Sequence, residues 1–111
     1  MNRLLKATIY SLMGLKAAWV SETAFRQEVV LVVILAPVGI WLGQTGSERA
    51  LLVGCLFLVL VAELLNSGLE AVVDRISDDI HPLSKKAKDV GSAAVFVSLA
   101  AVVVTWVLIL I

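Results

Sequence analysis

The sequence predicts an all-α membrane protein with three transmembrane helices and an amphipathic surface helix at its N-terminus. Of the 111 residues, 60% are hydrophobic and the mean hydropathy is +1.01, which is too apolar for an ordinary water-soluble domain of this length. Three apolar stretches are separated by short polar segments. The basic residues collect at one end of these stretches, as they do in membrane proteins of defined orientation.

The surface helix is predicted over residues 1–24. Apolar residues recur there at helical spacing, and Arg3, Lys6 and Lys16 lie outside that stripe or at its edges. This pattern is typical of a helix that lies on a membrane, although a helix that packs against the spans has the same pattern.

The first span is predicted over residues 25–43. Its uncharged part, 29–43, has 15 residues. Because a crossing needs about 20 residues, the helix must begin earlier, near Ala24. The segment 44–48 is predicted to be a tight turn with Gly46 as its helix breaker.

The second span is predicted over residues 49–76 and the third over residues 86–111. The last 22 residues of the chain carry no charge. Between these spans lies a polar loop over 77–84, in which Pro82 is expected to stop helix propagation. Ser84 is then the candidate N-cap of the third helix.

Charge predicts the orientation of the chain. Three crossings put the termini on opposite sides, and of the 9 basic residues Arg49 alone falls with the C-terminus. The positive-inside rule therefore places the N-terminus and the 77–89 loop in the cytoplasm and the C-terminus outside. The net charge is zero, so the composition offers no bulk attraction to nucleic acid and predicts no such partner.

A polar stripe runs along the second span. Glu63, Asn66, Glu70 and Asp74 fall within an arc of about 80° on one helix face at about 100° per residue. An ionisable group at the bilayer centre costs on the order of 3 kcal/mol even on a lenient insertion scale. Several such groups on one stripe therefore indicate a polar site inside a membrane protein.

The residue types around that stripe fit phosphoryl transfer. Mg²⁺ takes one or two carboxylates plus substrate phosphates, and Glu70 and Glu22 are placed to supply them. Lys88 and Arg3 are suited to neutralise phosphate oxygens, and the deeper Glu63 is suited to act as general base for a hydroxyl. Since no familiar nucleotide-binding motif is present, the residues alone indicate only a membrane protein with an acidic intramembrane site.

Three runs resemble the bacterial integral-membrane diacylglycerol kinase family: AAWVSETAFRQE (17–28), AELLNSGLEAVVDRIS (62–77) and KAKDVGSAAV (86–95). Their order and separations fit as well, so the resemblance covers nearly the whole chain as one domain, 1–111. It implies a homotrimer of three-span subunits in the bacterial inner membrane, with active sites shared between neighbouring subunits. The implied reaction transfers the γ-phosphate of ATP, with Mg²⁺, to diacylglycerol and gives phosphatidic acid.

The resemblance also implies roles for residues at matching positions. Glu63 is the implied catalytic base, Asn66 supports it, and Glu22 and Glu70 are the implied ligands of Mg²⁺. The set implied to contact ATP is Arg3, Tyr10, Glu22, Glu70, Asp79, His81, Lys88 and Asp89. The set implied to contact the lipid is Lys16, Trp19, Ala24, Arg26, Gln27, Glu28, Trp41, Gln44, Arg49, Glu63, Ser92 and Trp106.

Three alternatives stay open at this point. The first is the same chemistry on another membrane alcohol, a polyprenol such as undecaprenol, although the AFRQE segment over 24–28 resembles the diacylglycerol branch more closely. The second is a small proton-coupled transporter in which Glu63 alternately binds substrate and proton. The third is a non-catalytic assembly subunit, which leaves the acidic stripe without a purpose.

Overall fold

The computed structural model describes residues 2–76 and 81–111, and these residues form four α-helices. They are α1 (Arg3–Ser21), α2 (Thr23–Leu42), α3 (Gly46–Ile76) and α4 (Pro82–Leu110). The last three are long and apolar enough to cross a membrane. The prediction of an all-α protein with three candidate spans is therefore confirmed.

The helix α1 is held mainly at its two ends. At its start, the Asn2 side chain accepts a hydrogen bond from the Leu5 backbone N–H at 2.8 Å, which supplies the N-cap. At its end, Glu22 leaves the helical conformation (φ −115°, ψ 107°), and α2 begins at the next residue. Only Ala18 of α1 is buried, so the helix packs lightly on α2 and α3 and places Glu22 at the joint with α2.

The helix α3 lies between α2 and α4 and forms the centre of the fold. Its residues Leu52, Leu56 and Val59 are the largest fully buried side chains. Leu56 and Val59 pack with Val32 of α2 and Val102 of α4. Most other apolar side chains of the spans are exposed on the single chain. A lipid environment or further protein subunits would cover such a surface.

The turn between α2 and α3 is tighter than the sequence predicted. Gly46 was expected to break the helix, but α3 begins at this residue. The reason lies in two hydrogen bonds that cap the new helix: Thr45 Oγ1 accepts from the Glu48 N–H at 3.1 Å, and Glu48 Oε1 accepts from the Gln44 N–H at 2.9 Å. These two bonds resemble a Thr-x-x-Glu capping box, except that Glu48 accepts from the N–H of Gln44 and not from that of the capping residue Thr45.

The start of α4 also corrects the sequence prediction. Pro82 does not stop a helix but occupies its first turn, where a missing N–H leaves no bond unmade. His81 is the N-cap, since its Nδ1 accepts a hydrogen bond from the Leu83 N–H at 3.0 Å. Ser84, the predicted N-cap, therefore lies inside the helix.

Candidate active site

Glu63 lies at the centre of the candidate site. Its side chain is buried, with 5% of its surface exposed, and no other charged residue of the described segments is buried to this extent. The carboxyl group of Glu28 on α2 approaches it closely enough for a hydrogen bond between the two. Glu22 at the α1–α2 joint and Glu70 on α3 are near enough to repel it electrostatically. These four residues are called the carboxyl cluster below.

Among the described residues, no basic side chain forms a salt bridge with any of the four members of the carboxyl cluster. The Oε2 atom of Glu28 is buried without a hydrogen-bond partner. Carboxyl groups that lie close together in partly buried surroundings are stabilised by a bound cation or by protons.

Asn66 orients one member of the cluster. Its Nδ2 atom donates a hydrogen bond to Glu70 Oε1 at 3.2 Å, across one turn of α3. Its Oδ1 atom is buried and has no partner. On the opposite side of this amide lies α4, where Gly91 is buried against it. The predicted supporting role of Asn66 stays a prediction, and the structure adds that its contact is with Glu70.

Charged side chains also join α3 to α4 at the water-facing end of the stripe. Lys88 Nζ lies 2.6 Å from Asp74 Oδ1, with 44% and 63% of the two side chains exposed. Asp74 of α3 thus has its ion-pair partner on α4. Glu70 is also near enough to attract Lys88, which connects this ion pair to the carboxyl cluster.

The other predicted ATP contacts lie outside this centre. Arg3 and Tyr10 line an open depression on α1 together with Lys6 and Ala7. Asp89 is paired with Lys85 one turn away on α4, at 2.6 Å, and His81 caps the same helix. The predicted contact Asp79 lies outside the described residues. In the described part of one chain, Glu22, Glu70 and Lys88 are thus the predicted ATP contacts that associate with Glu63.

Most of the predicted lipid contacts fall into two groups, one at each end of α2. Residues 16–28 lie around the α1–α2 joint, whereas Trp41, Gln44 and Arg49 lie around the α2–α3 turn. From Ala24 to Trp41, α2 extends about 25 Å at 1.5 Å per residue, so one headgroup cannot contact both groups on a single chain.

Three of these predicted lipid contacts also make structural hydrogen bonds. Arg26 Nη1 donates to the Trp19 carbonyl at 2.6 Å and caps the end of α1. Arg49 Nε donates to the Ile40 carbonyl at 2.9 Å and caps the end of α2. Trp106 Nε1 donates to the Leu52 carbonyl at 3.1 Å and ties α4 to α3. Of the remaining members, Ser92 is exposed on α4.

Glu28 is the member of the carboxyl cluster whose position the sequence did not reveal. It was assigned only to the lipid contacts, but it faces the buried Glu63 from a different helix. A signal was available, since Glu28 directly precedes an uncharged run of 15 residues. What the sequence could not indicate is the rotation of α2 that turns this side chain toward α3.

An open pocket of about 610 Å³ lies beside the cluster, between α1 and α3. Small residues line much of it, including Gly14, Ala18, Ser67 and Gly68, and Glu22 contributes to its wall. The pocket is therefore an apolar space that reaches one carboxyl group of the cluster.

Comparison with known proteins identifies the family. The family model for prokaryotic diacylglycerol kinase matches residues 9–110. A diacylglycerol kinase of Pseudomonas aeruginosa is 54% identical over 110 residues, which cover 99% of this chain and 89% of the relative. The Escherichia coli (strain K12) diacylglycerol kinase is 47% identical over 109 residues, covering 98% and 89%, and that of Haemophilus influenzae is 48% identical over 106 residues, covering 96% and 90%. The chain thus belongs to the prokaryotic diacylglycerol kinase family.

Proposed function

We propose that this protein transfers the γ-phosphate of ATP to the free hydroxyl of diacylglycerol at the cytoplasmic face of the inner membrane. The products are phosphatidic acid and ADP. The observation that carries this proposal is the carboxyl cluster around the buried Glu63 in a member of a diacylglycerol kinase family. Relatives at 47% to 54% identity that are named diacylglycerol kinase support the choice of lipid.

Glu63 is proposed as the general base. As the lipid oxygen attacks the γ-phosphorus, Glu63 takes the proton of that hydroxyl, while the bond between the γ-phosphorus and the β,γ-bridging oxygen breaks and ADP leaves with that oxygen. The burial of Glu63 supports this role, because a carboxyl group shielded from water can accept a proton from the lipid hydroxyl without competition from water. Glu28, in contact with it from α2, helps to hold its orientation.

Glu22 and Glu70 are the residues proposed to hold Mg²⁺. Oxygen ligands suit this ion, which commonly takes one or two protein carboxylates and completes its shell with water and substrate phosphate. The unneutralised charge of the carboxyl cluster supports such a cation. Within the described residues no group of three or more His, Cys, Asp or Glu side chains has metal-binding geometry, and the site proposed here uses two carboxylates. Bound there, Mg²⁺ would neutralise charge on the β- and γ-phosphates.

The order of residues along α3 suits two substrates of opposite solubility. Glu63 is buried, Glu70 is half-buried and Asp74 is exposed, over about 16 Å of helix at 1.5 Å per residue. A lipid hydroxyl would approach from the buried end, and the triphosphate would approach from water, where Lys88 binds it as a point charge. The pocket of about 610 Å³ between α1 and α3 has room for the apolar part of the lipid near Glu22.

The complete site is proposed to form in a homotrimer, with α1 lying on the membrane surface. Arg3 and Tyr10 are exposed on α1 rather than beside the carboxyl cluster, so a site that includes them requires a neighbouring subunit. The exposed apolar faces of the spans provide surface for such assembly. In this arrangement the N-terminus is cytoplasmic and the C-terminus is outside, as the positive-inside rule predicts.

A direct assay tests this function. The protein is purified in detergent, mixed with dispersed diacylglycerol or undecaprenol, and supplied with Mg²⁺ and ATP labelled at the γ-phosphate. Labelled phosphatidic acid is the expected product. If labelled polyprenyl phosphate forms and phosphatidic acid does not, the substrate is a polyprenol. If neither labelled lipid forms, and the protein instead catalyses substrate counterflow in liposomes that contain no ATP, it is a transporter.

A further inference from the structure

We propose that Gly91 is a positioning residue for the active site, because its missing side chain leaves the space in which the Asn66 amide holds Glu70. Gly91 lies on α4 and touches neither substrate in this proposal. The inference rests on the proposed function in one respect, which is that Glu70 helps to hold Mg²⁺.

Helix α4 approaches the Asn66 side chain of α3 closely at this position. Gly91 is buried, and a Cβ added to it would overlap the Oδ1 atom of Asn66. The same Cβ would lie 3.2 Å from Asn66 Cγ and 3.1 Å from Leu69 Cδ2. The Asn66 amide thus occupies the volume that any larger residue at 91 would need.

Backbone conformation does not explain a glycine here. In the described residues no glycine has a positive φ, so alanine would be conformationally acceptable at 91. In a helix interior, glycine is less favourable than alanine by about 1 kcal/mol. The fit of the Asn66 amide against the α4 backbone is therefore the feature that requires glycine.

The orientation of the amide links Gly91 to the carboxyl cluster. Asn66 Nδ2 donates to Glu70 Oε1 at 3.2 Å, while Oδ1 faces Gly91 without a hydrogen-bond partner. If the amide were turned over, Oδ1 would oppose the Glu70 carboxylate, and two acceptors would repel each other. Any side chain at 91 would displace the amide and so remove the group that orients Glu70.

The chain contains a matched control. Gly54 lies in α3, and a Cβ added there would have no heavy atom within 4 Å. Gly91→Ala and Gly54→Ala therefore make the same chemical change in a helix, but only the first meets Asn66.

The test measures metal binding directly. Mn²⁺, which shares the preference of Mg²⁺ for oxygen ligands, is titrated into detergent-purified protein with a non-hydrolysable ATP analogue and followed by electron paramagnetic resonance. We expect Gly91→Ala to weaken Mn²⁺ binding by about tenfold to a hundredfold, the effect typical of losing a group that orients a metal ligand. Gly54→Ala should bind Mn²⁺ as the wild type does.

The double variant Asn66→Ala/Gly91→Ala tests whether residue 91 acts through the Asn66 amide. Asn66→Ala alone should weaken Mn²⁺ binding, and adding Gly91→Ala should weaken it by less than about twofold more, because no amide remains to be displaced. Losses that add fully, or wild-type Mn²⁺ binding by a folded Gly91→Ala, would overturn the proposal. If Gly91→Ala alone fails to fold, the double variant should fold again, and its failure to do so would also overturn it.

The outcomes separate this proposal from the proposed function. Wild-type protein that binds Mn²⁺ with nucleotide but makes no phosphatidic acid would overturn the reaction and leave the Gly91 comparison valid. Wild-type protein that binds no Mn²⁺ would overturn both. Phosphatidic acid synthesis together with unaltered Mn²⁺ binding by folded Gly91→Ala would overturn only the role of Gly91.

Discussion

The two ends of the helix bundle are built on different principles. At the end near the α2–α3 turn, Gly39 lets α2 approach α3 so closely that an added Cβ would lie 3.2 Å from Leu52 Cβ. There the Trp106 indole and the Arg49 guanidinium donate to backbone carbonyls. At the other end, the carboxyl groups of Glu22, Glu28 and Glu70 surround the buried Glu63, and none of the four takes part in a salt bridge among the described residues.

Buried polar atoms without partners mark the same difference. In the described segments the two such side-chain atoms are Glu28 Oε2 and Asn66 Oδ1, and both belong to the carboxyl end. Leaving a buried polar group unpaired costs about 1–3 kcal/mol. The carboxyl end is therefore the end whose buried polar groups remain available to a ligand or to water.

The largest expected effect comes from Glu63→Gln, which keeps the shape of the side chain and removes the base. Turnover should fall about a hundredfold to ten-thousandfold, the usual contribution of a general base. The variant should remain folded and assembled, since the amide fills the same volume. Glu48→Gln, on the same helix at the turn end, is the control and should keep its activity. Wild-type turnover by Glu63→Gln would remove Glu63 from the mechanism.

Next in size are Glu22→Ala and Glu70→Ala. Each removes one proposed ligand, so the Mg²⁺ concentration for half-maximal activity should rise at least about tenfold to a hundredfold. Titration of activity against Mg²⁺ at fixed ATP measures the change, with circular dichroism as a check of folding. An unchanged Mg²⁺ requirement in both variants would exclude them as ligands.

Lys88→Gln should have a smaller effect, and only on the binding of ATP. Loss of a charge-assisted contact to phosphate should raise the KM for ATP about tenfold and leave the KM for the lipid unchanged. Asp74→Asn should change the KM for ATP less, since Asp74 acts through its ion pair with Lys88. If the lipid KM rose instead, Lys88 would lie on the lipid side of the site.

The turn end should respond in stability rather than in activity. Gly39→Leu forces a side chain between α2 and α3, and such overpacking should lower the free energy of unfolding by about 1–3 kcal/mol. The activity per folded molecule should remain that of the wild type. Thermal unfolding in detergent and an assay on the folded fraction measure the two quantities. A loss of turnover without loss of stability would contradict the division between the ends.

Much of the fold followed from local patterns. The three spans were predicted from length and hydropathy, and the polar stripe of α3 was predicted from the helical period of 3.6 residues. The predicted starts of α3 and α4 were wrong. Gly46 and Pro82 were treated as breakers, but capping by Thr45 and by His81 makes each compatible with a first turn.

The sequence by itself determined which residues are apolar enough to cross the membrane, and which polar residues share a face of one helix, because both properties depend on neighbours along the chain. Only the tertiary structure decided that Glu28 faces Glu63, that Lys88 pairs with Asp74 and that Gly91 makes room for Asn66. These contacts depend on how each helix is rotated and shifted against the next. That arrangement results from the packing of the whole bundle, which no local pattern encodes.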